Sequence, residues 1–341
     1  MTEISAPAIQ TPDVPQPTSL PRGVTVRPAA PGDVAALVSL LRGDELAASG
    51  ESSMTETEVA ATFESSRARE RLIGRVLERD GALIGLWRVG RNFDAKYSFA
   101  IAIDRRLPAP LVDELWQQGL QWSEAVALSV AAARGIDRPR ADLWVFENDD
   151  LARRHAEAAG FEQVRAFIEM QLDLPGYAAP TGASAVTLRR AEVTDAGSPD
   201  LRAMYEVITE SFRDHFDFTE RTFDDWAESR LQDPLRALDH WYFAELDGMV
   251  VGGLVGHNAY LQSDDAGYVA NLGVLRSGRG RGAAKALLRA SFARYAADGR
   301  AAVKLHVDAE SPTGATHLYE SVGMYRRMVG YDFHKSLGPT D

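Results

Sequence analysis

Cysteine is absent from this chain of 341 residues. That excludes disulfides, thiolate metal sites and a cysteine nucleophile, and it fits a cytoplasmic location. Long hydrophobic runs are missing too, since none approaches the roughly 18 residues a membrane span requires. Residues 1–22 have no basic region and no apolar stretch, so they do not read as a signal peptide. Proline-rich and polar, they read as a disordered leader. Positive charge is in deficit: the net charge is −12. Such a balance disfavours nucleic acid and anionic membranes and leans toward neutral or cationic partners. The seven histidines show no H-E-x-x-H and no paired ligand spacing, so no metal is expected. Nor is there a Gly-x-Ser-x-Gly elbow of the kind serine hydrolases use.

What is present is repetition. VTVRPAAPGD (24–33) returns as VTLRRAEVTD (186–195), and DGALIGLWRVG (80–90) as DGMVVGGLVG (247–256). LWVFENDDLARRHAEAAGF (143–161) returns as LHVDAESPTGATHLYESVGM (305–324), and the tails FIEMQLDL (167–174) and GYDFHKSL (330–337) follow in the same order. An offset of roughly 160–170 residues describes two copies of one domain, because a unit that long folds by itself. The expected organisation is a leader at 1–22, a first domain at 23–174, a linker at 175–185 and a second domain at 186–341. The linker PGYAAPTGASA has the composition of one. Within each copy, Asp-Gly between apolar runs predicts a two-residue hairpin. Strands and helices then alternate, which predicts a mixed α/β (α+β) domain with helices on a largely antiparallel sheet.

In the second copy a strand over 268–275 runs into GRGRGAAKALL (278–288) and a helix over 283–297. Leu288, Phe292 and Tyr295 share one helical face. The glycines fall where a strand delivers the chain to a helix N-terminus. There they let the backbone approach a ligand, and the free amides and helix dipole favour an anion. Arg279 and Arg281 add charge, so the physical reading is a phosphate or pyrophosphate cradle. A Walker loop fails, because Lys285 is followed by Ala286 and not by Ser or Thr. A dinucleotide fingerprint, Gly278-x-Gly280-x-x-Ala283, opens its fold, whereas this turn comes late. A solvated Arg/Gly loop is the plain alternative.

LGVLRSGRGRGAAKALL resembles motif A of the GNAT superfamily of acyl-CoA N-acyltransferases, with Arg279, Gly282 and Ala284 at the signature positions and Gly280, Arg281 and Ala283 between them. SPTGATHLYESVGM resembles the family's second signature, Asn-x-x-Ala-x-x-x-Tyr-x-x-x-Gly-Phe. The tandem arrangement, with ESFRDHFDFTERTFDDW early in the second copy, looks most like mycothiol-synthase-like acetyltransferases. The resemblance implies two GNAT-like domains and acetyl-CoA, or a longer acyl-CoA, as co-substrate. It implies a small-molecule amine acceptor and pyrophosphate held by the amides of 279–284. It also implies a carbonyl-polarising amide within Leu272, Gly273 and Val274, where Gly273 suggests a bulge or a close backbone approach. Tyr319 matches the general acid that protonates the coenzyme A sulfur, although by spacing alone it shares a packing face with Ala315, Leu318 and Val322.

Two departures stand out. Ser311 replaces the family's asparagine, yet with Pro312 after it remains a candidate helix cap. The strand stretch Gly267–Asn271 carries no acid, where the family often has a glutamate base. His257, Asp264, Asp265 and Asp308 lie nearby in sequence, and none is assigned. Asp214, His215, Asp217, Glu220, Asp224 and Asp225 alternate with Phe212, Phe216, Phe218, Phe223 and Trp226. They read either as an acceptor wall suited to a cationic amine or as an amphipathic segment with a solvated acidic face. In the first copy Pro108 and Pro110 fall in the cradle and Ala156 stands in place of Tyr319, although Asn148 keeps the family residue. Proline has no N–H to donate, so that copy reads as degenerate. The rival readings are a non-catalytic acyl-CoA-binding protein and a dinucleotide-binding module.

Overall fold

Asp80–Gly81 and Asp247–Gly248 turn their chains with φ of 53° and 78°, and of 52° and 77°. Two successive positive φ values are what a type I′ hairpin needs, and its twist matches that of the flanking strands. The computed structural model describes residues 14–64, 70–92, 95–180, 185–311 and 314–338. The chain divides into two compact units, Met1–Val164 with Tyr331–Asp341, and Arg165–Gly330. These limits differ from those the sequence repeat suggests. The tail of the first repeat belongs to the second unit, and the tail of the second repeat to the first.

The first unit begins with β1 (Val24–Pro28), α1 (Val34–Ser49), α2 (Glu56–Glu64), β2 (Leu72–Arg79) and β3 (Ala82–Arg91). It continues with β4 (Lys96–Ile103), α3 (Ala109–Ala132), β5 (Arg140–Phe146) and α4 (Asp150–Ala158). Strands β1 to β4 are antiparallel neighbours and β4 pairs β5 in parallel. One face of β3 sends Trp87 and Val89 into a core with Trp116, Leu120 and Val126 of α3. The other sends Leu86 against Leu37 and Val38 of α1 and Val59 of α2. Residues 14–22, expected in the leader, are packed: Val14 and Leu20 lie against the α3-side core, and Trp122 Nε1 donates to the Pro15 carbonyl at 2.9 Å. Residues 1–13 lie outside the described residues.

The second unit contains residues 165–173 of β6 (Glu162–Asp173), then β7 (Thr187–Arg190), α5 (Pro199–Phe212), α6 (Phe223–Leu231) and β8 (Tyr242–Leu246). It continues with β9 (Met249–His257), α7 (Leu261–Asp264), β10 (Ala266–Val274), α8 (Ala283–Ala297), β11 (Ala302–Asp308) and α9 (Ala315–Glu320). It ends within β12 (Tyr325–Ser336). Its strand order β6-β11-β10-β9-β8-β7 is antiparallel except for the parallel β10–β11 pair. Leu288, Phe292 and Tyr295 of α8 are all buried, as their spacing predicts, with Val303 and Leu305 of β11. On the opposite face Met204 and Ile208 of α5 and Trp226 of α6 pack on Phe243 and Val255. Within the expected linker, Tyr177 packs edge-on to Phe292 at 5.9 Å, while 181–184 lie outside the described residues.

The fit between α8 and β10 is tight. A Cβ on Gly267 would lie 2.5 Å from the Cε1 and Cγ atoms of Tyr295, a buried ring. Gly267→Ala should therefore cost about 1–3 kcal/mol through overpacking. Urea denaturation should show a lower midpoint at an unchanged slope; an unchanged midpoint would mean the ring moves freely.

Candidate active site

Strand β10 divides in function along its length. Its parallel ladder with β11 covers three residue pairs, from Ala266–Ala302 to Tyr268–Lys304. Beyond Tyr268 it pairs only with β9, and the register shifts between Val269 and Asn271, leaving Ala270 as a bulge. From there to Val274 the edge that faces β11 has no ladder partner among the described residues. Leu272, Gly273 and Val274 sit on this stretch, opposite Leu254, Gly253 and Gly252. Of the two readings of Gly273, the bulge lies instead at Ala270, and a close approach is what the glycine permits. A Cβ on Gly273 would stand 2.9 Å from Ser211, so the glycine admits helix α5 against the sheet.

After Val274 the chain makes a 3-10 turn at Arg276–Gly278 and enters α8 through Gly280 and Gly282, at φ of 73° and 86°. A Cβ at either glycine would meet nothing within 4 Å, so both are required by backbone conformation and not by crowding. The amides of Gly278, Arg279 and Arg281 bond carbonyls within the turn, and Ala286 donates to the Gly282 carbonyl. The amides of Gly280, Gly282, Ala283 and Ala284 bond no backbone carbonyl among the described residues. Residues 279–282 are exposed while Ala283 is buried. Arg279 is held back by its Nε bond to the Val274 carbonyl at 3.3 Å, and Arg276 pairs with Asp214 at 3.0 Å. Exposed amides at the start of a 15-residue helix fit an anion, and this geometry fits a pyrophosphate.

Tyr319 lies on α9, 9% exposed, among the core residues of the second unit. Burial pushes its hydroxyl up to about 12, so it carries its proton at neutral pH. Ser311 does not cap this helix. The helix begins at Ala315 with Gly314 as its N-cap, and Ser311 instead bonds Asp308 and Gly314 through its backbone. Pro312 lies outside the described residues.

Sequence reasoning missed a buried polar cluster where the β10–β11 ladder ends. Lys304 is 1% exposed and Glu169 4%. Lys304 Nζ bonds Asp264, lies 3.4 Å from Glu169 and sits over the Tyr260 ring. Glu169 also accepts from Arg327 Nη1 at 2.9 Å and from the Tyr260 hydroxyl. His306 turns Nε2 toward Glu169 at 3.7 Å, and its Nδ1 and the Tyr268 hydroxyl share a hydrogen bond at 3.2 Å. Burial, with Lys304 adding, holds His306 down at about 4. Burial and the Glu169 charge push Tyr268 up to about 12. One signal was available: Lys304 and His306 alternate on one face of an otherwise apolar strand.

The nearby candidates for a base are already engaged. His257 pairs with Asp233 at 2.9 Å, Asp264 with Lys304, Asp265 with Arg300 at 3.0 Å, and Asp308 lies 3.9 Å from Arg165. The acidic segment does not converge either. Asp214 is taken by Arg276, Glu220 lies 4.0 Å from Arg213, and Asp224 and Asp225 are exposed in the first turn of α6. Phe223 and Trp226 instead turn inward to pack. The charge that α6 brings to β10 is a cation, the half-buried Arg230, whose Nη2 donates to Asn271 Oδ1 at 2.7 Å.

In the first unit the corresponding turn is filled. Pro108 caps α3, and the amides of Leu111 and Val112 both bond its carbonyl. Arg105, which aligns with Arg276, is clamped between Asp44 at 2.7 Å and Asp149 at 2.7 Å. Ala156 is fully buried.

His306 should register in the pH dependence of stability. Its folded value lies below the ordinary 6.5, so the unfolded chain binds more protons between about pH 6.5 and 4. The stabilisation is present above that window and lost as pH falls through it, on the order of 1–3 kcal/mol. Urea titrations at pH 7 and pH 4 should show a smaller difference for His306→Gln than for the wild type. Equal differences would place the proton elsewhere.

Residues 201–324 match the family model described as Acetyltransferase (GNAT) family. A mycothiol acetyltransferase from Frankia alni is 28% identical over 246 residues, covering 67% of this chain and 71% of that protein. The crystal structure of a GCN5-related N-acetyltransferase from Sphaerobacter thermophilus is 26% identical with a TM-score of 0.76, covering 95% of this chain and 98% of that one. A tandem GNAT protein from the clavulanic acid biosynthesis pathway shares the fold at 15% identity and a TM-score of 0.67, covering 93% and 100%. This turn and this divided strand lie within residues 201–324, the stretch that resembles the GNAT acetyltransferases, and with these relatives they support an N-acetyltransferase.

Proposed function

We propose that the second unit transfers an acetyl group from acetyl-CoA to the primary amine of a small molecule, and that the first unit has no acyl-CoA site. The observation that carries this reading is the open edge of β10 running into a turn where the amides of Gly280, Gly282, Ala283 and Ala284 bond no backbone carbonyl among the described residues. An extended pantetheine arm would complete that edge while the pyrophosphate takes the turn. An amide within Leu272–Val274 would then polarise the thioester carbonyl. The relative named for mycothiol supports a small acceptor over a protein.

As the amine nitrogen bonds the carbonyl carbon and the C–S bond breaks, the amine proton is released to water. Tyr319 donates to the departing thiolate, a role its raised value suits.

Calorimetry should find one acetyl-CoA per chain, and Gly280→Pro or Gly282→Val should weaken it at least tenfold by removing an amide or the left-handed backbone. Unchanged affinity in both variants would overturn the cradle. Tyr319→Phe should lower turnover roughly 10²–10⁴-fold in a chemistry-limited thiol-release assay with little change in acetyl-CoA affinity. Wild-type turnover would reduce Tyr319 to packing.

A further inference from the structure

Strands β10 and β11 part after Tyr268, and the point where they part is closed by rings. Tyr268 and Lys304 are the last pair of the ladder. His306, two residues further along β11, pairs with Glu169 of β6 and not with β10. The Tyr268 side chain nevertheless reaches it, with the hydroxyl 3.2 Å from His306 Nδ1 and the ring centres 5.9 Å apart. Tyr260 packs on both, 5.4 Å from the Tyr268 ring and 6.4 Å from that of His306. Behind them lie the buried Lys304 and Glu169, so the rings have little room to retreat. On β11, Val303, Leu305 and Val307 share the α8-side core with Tyr319. Side chains alternate along a strand, so Lys304 and His306, with Tyr268, stand on the opposite face. Tyr268 and His306 are only half-buried, and both keep contact with solvent.

From Ala270 to Val274 the open edge is roughly 13 Å long. The anion-binding turn follows Val274, so an acyl-CoA held there and laid along the edge points its acyl end at Tyr268. We propose that the Tyr268–His306 pair is the stop for the acyl chain and limits the donor to short acyl groups. An acetyl group ends before the rings. A long chain must displace them or prise β10 from β11 at the last ladder pair, and either route disturbs the buried charges behind. This inference rests on the acyl-CoA reading.

Calorimetry with free coenzyme A, acetyl-CoA, butyryl-CoA and octanoyl-CoA tests it. The wild type should bind octanoyl-CoA about 10–100-fold more weakly than acetyl-CoA, the range that overpacking produces, with butyryl-CoA between them. Tyr268→Ala, which removes the ring, should narrow the octanoyl–acetyl difference roughly tenfold. His306→Ala should narrow it too, by removing the bond that holds the ring forward. Free coenzyme A checks the fold, because it fills the turn and the edge without an acyl group to meet the rings. A Tyr268→Ala chain that no longer binds it is replaced by Tyr268→Leu, read in the same way. Octanoyl-CoA bound as tightly as acetyl-CoA by the wild type, or an unchanged difference in the Tyr268 variant, would overturn the inference. A wild type that does not bind even free coenzyme A would overturn the acyl-CoA reading, and the inference with it.

Discussion

A sheet strand that loses its neighbour halfway is the constraint on which the second unit depends. Backbone N–H and C=O groups inside a protein must be paired. Strand β10 satisfies this on its β9 side throughout, but on its β11 side only as far as Tyr268. The bulge at Ala270 adds twist at the point of separation. An edge left open inside a fold is a template for an extended ligand, as exposed edges are for an added strand. The turn after Val274 then places free amides in line with that edge.

Keeping the two strands apart calls for a rigid hinge where the ladder ends, and the buried polar cluster occupies that place. Lys304, Glu169, Asp264, Tyr260 and Arg327 tie β11, β6, α7 and β12 together around two charges, Lys304 and Glu169, that are almost fully removed from water. Such a cluster adds little net stability over an apolar core, but losing one member strands the others. It therefore imposes geometry. His306 and Tyr268 lie against it, His306 Nε2 facing Glu169 and its Nδ1 the Tyr268 hydroxyl.

The first unit repeats the topology and lacks these features. Its β4–β5 pair is also parallel, yet the turn after β4 is closed by Pro108 and Pro110, and Arg105 bridges Asp44 to Asp149. Burial pushes Asp44 up to about 6 despite Arg105 beside it, so the clamp is held at an electrostatic cost. The same strands can thus frame an open edge or a filled one, depending on a few residues at the turn.

Local signals were legible in the sequence because they depend on neighbours along the chain. The Asp-Gly hairpins, the buried face of α8, the glycine-rich turn ahead of α8 and the prolines at 108 and 110 all follow from backbone preference and periodicity. The repeat revealed two copies, but not that each copy's tail lies in the other compact unit, since strand pairing is a long-range choice. Ser311 read as a cap because its spacing allowed it, and the chain used Gly314 at a left-handed φ instead. Gly273 read as a bulge or a close approach, and only the tertiary structure chose the second, by bringing Ser211 against it. Residues drawn from β6, α7, β10 and β11 meet only after the sheet forms, so Glu169 and Tyr260 carried no signature of the cluster they join with Lys304 and His306. Spacing along the chain settles helices, turns and caps, whereas burial and charge at one point in space are settled by which distant strands pair.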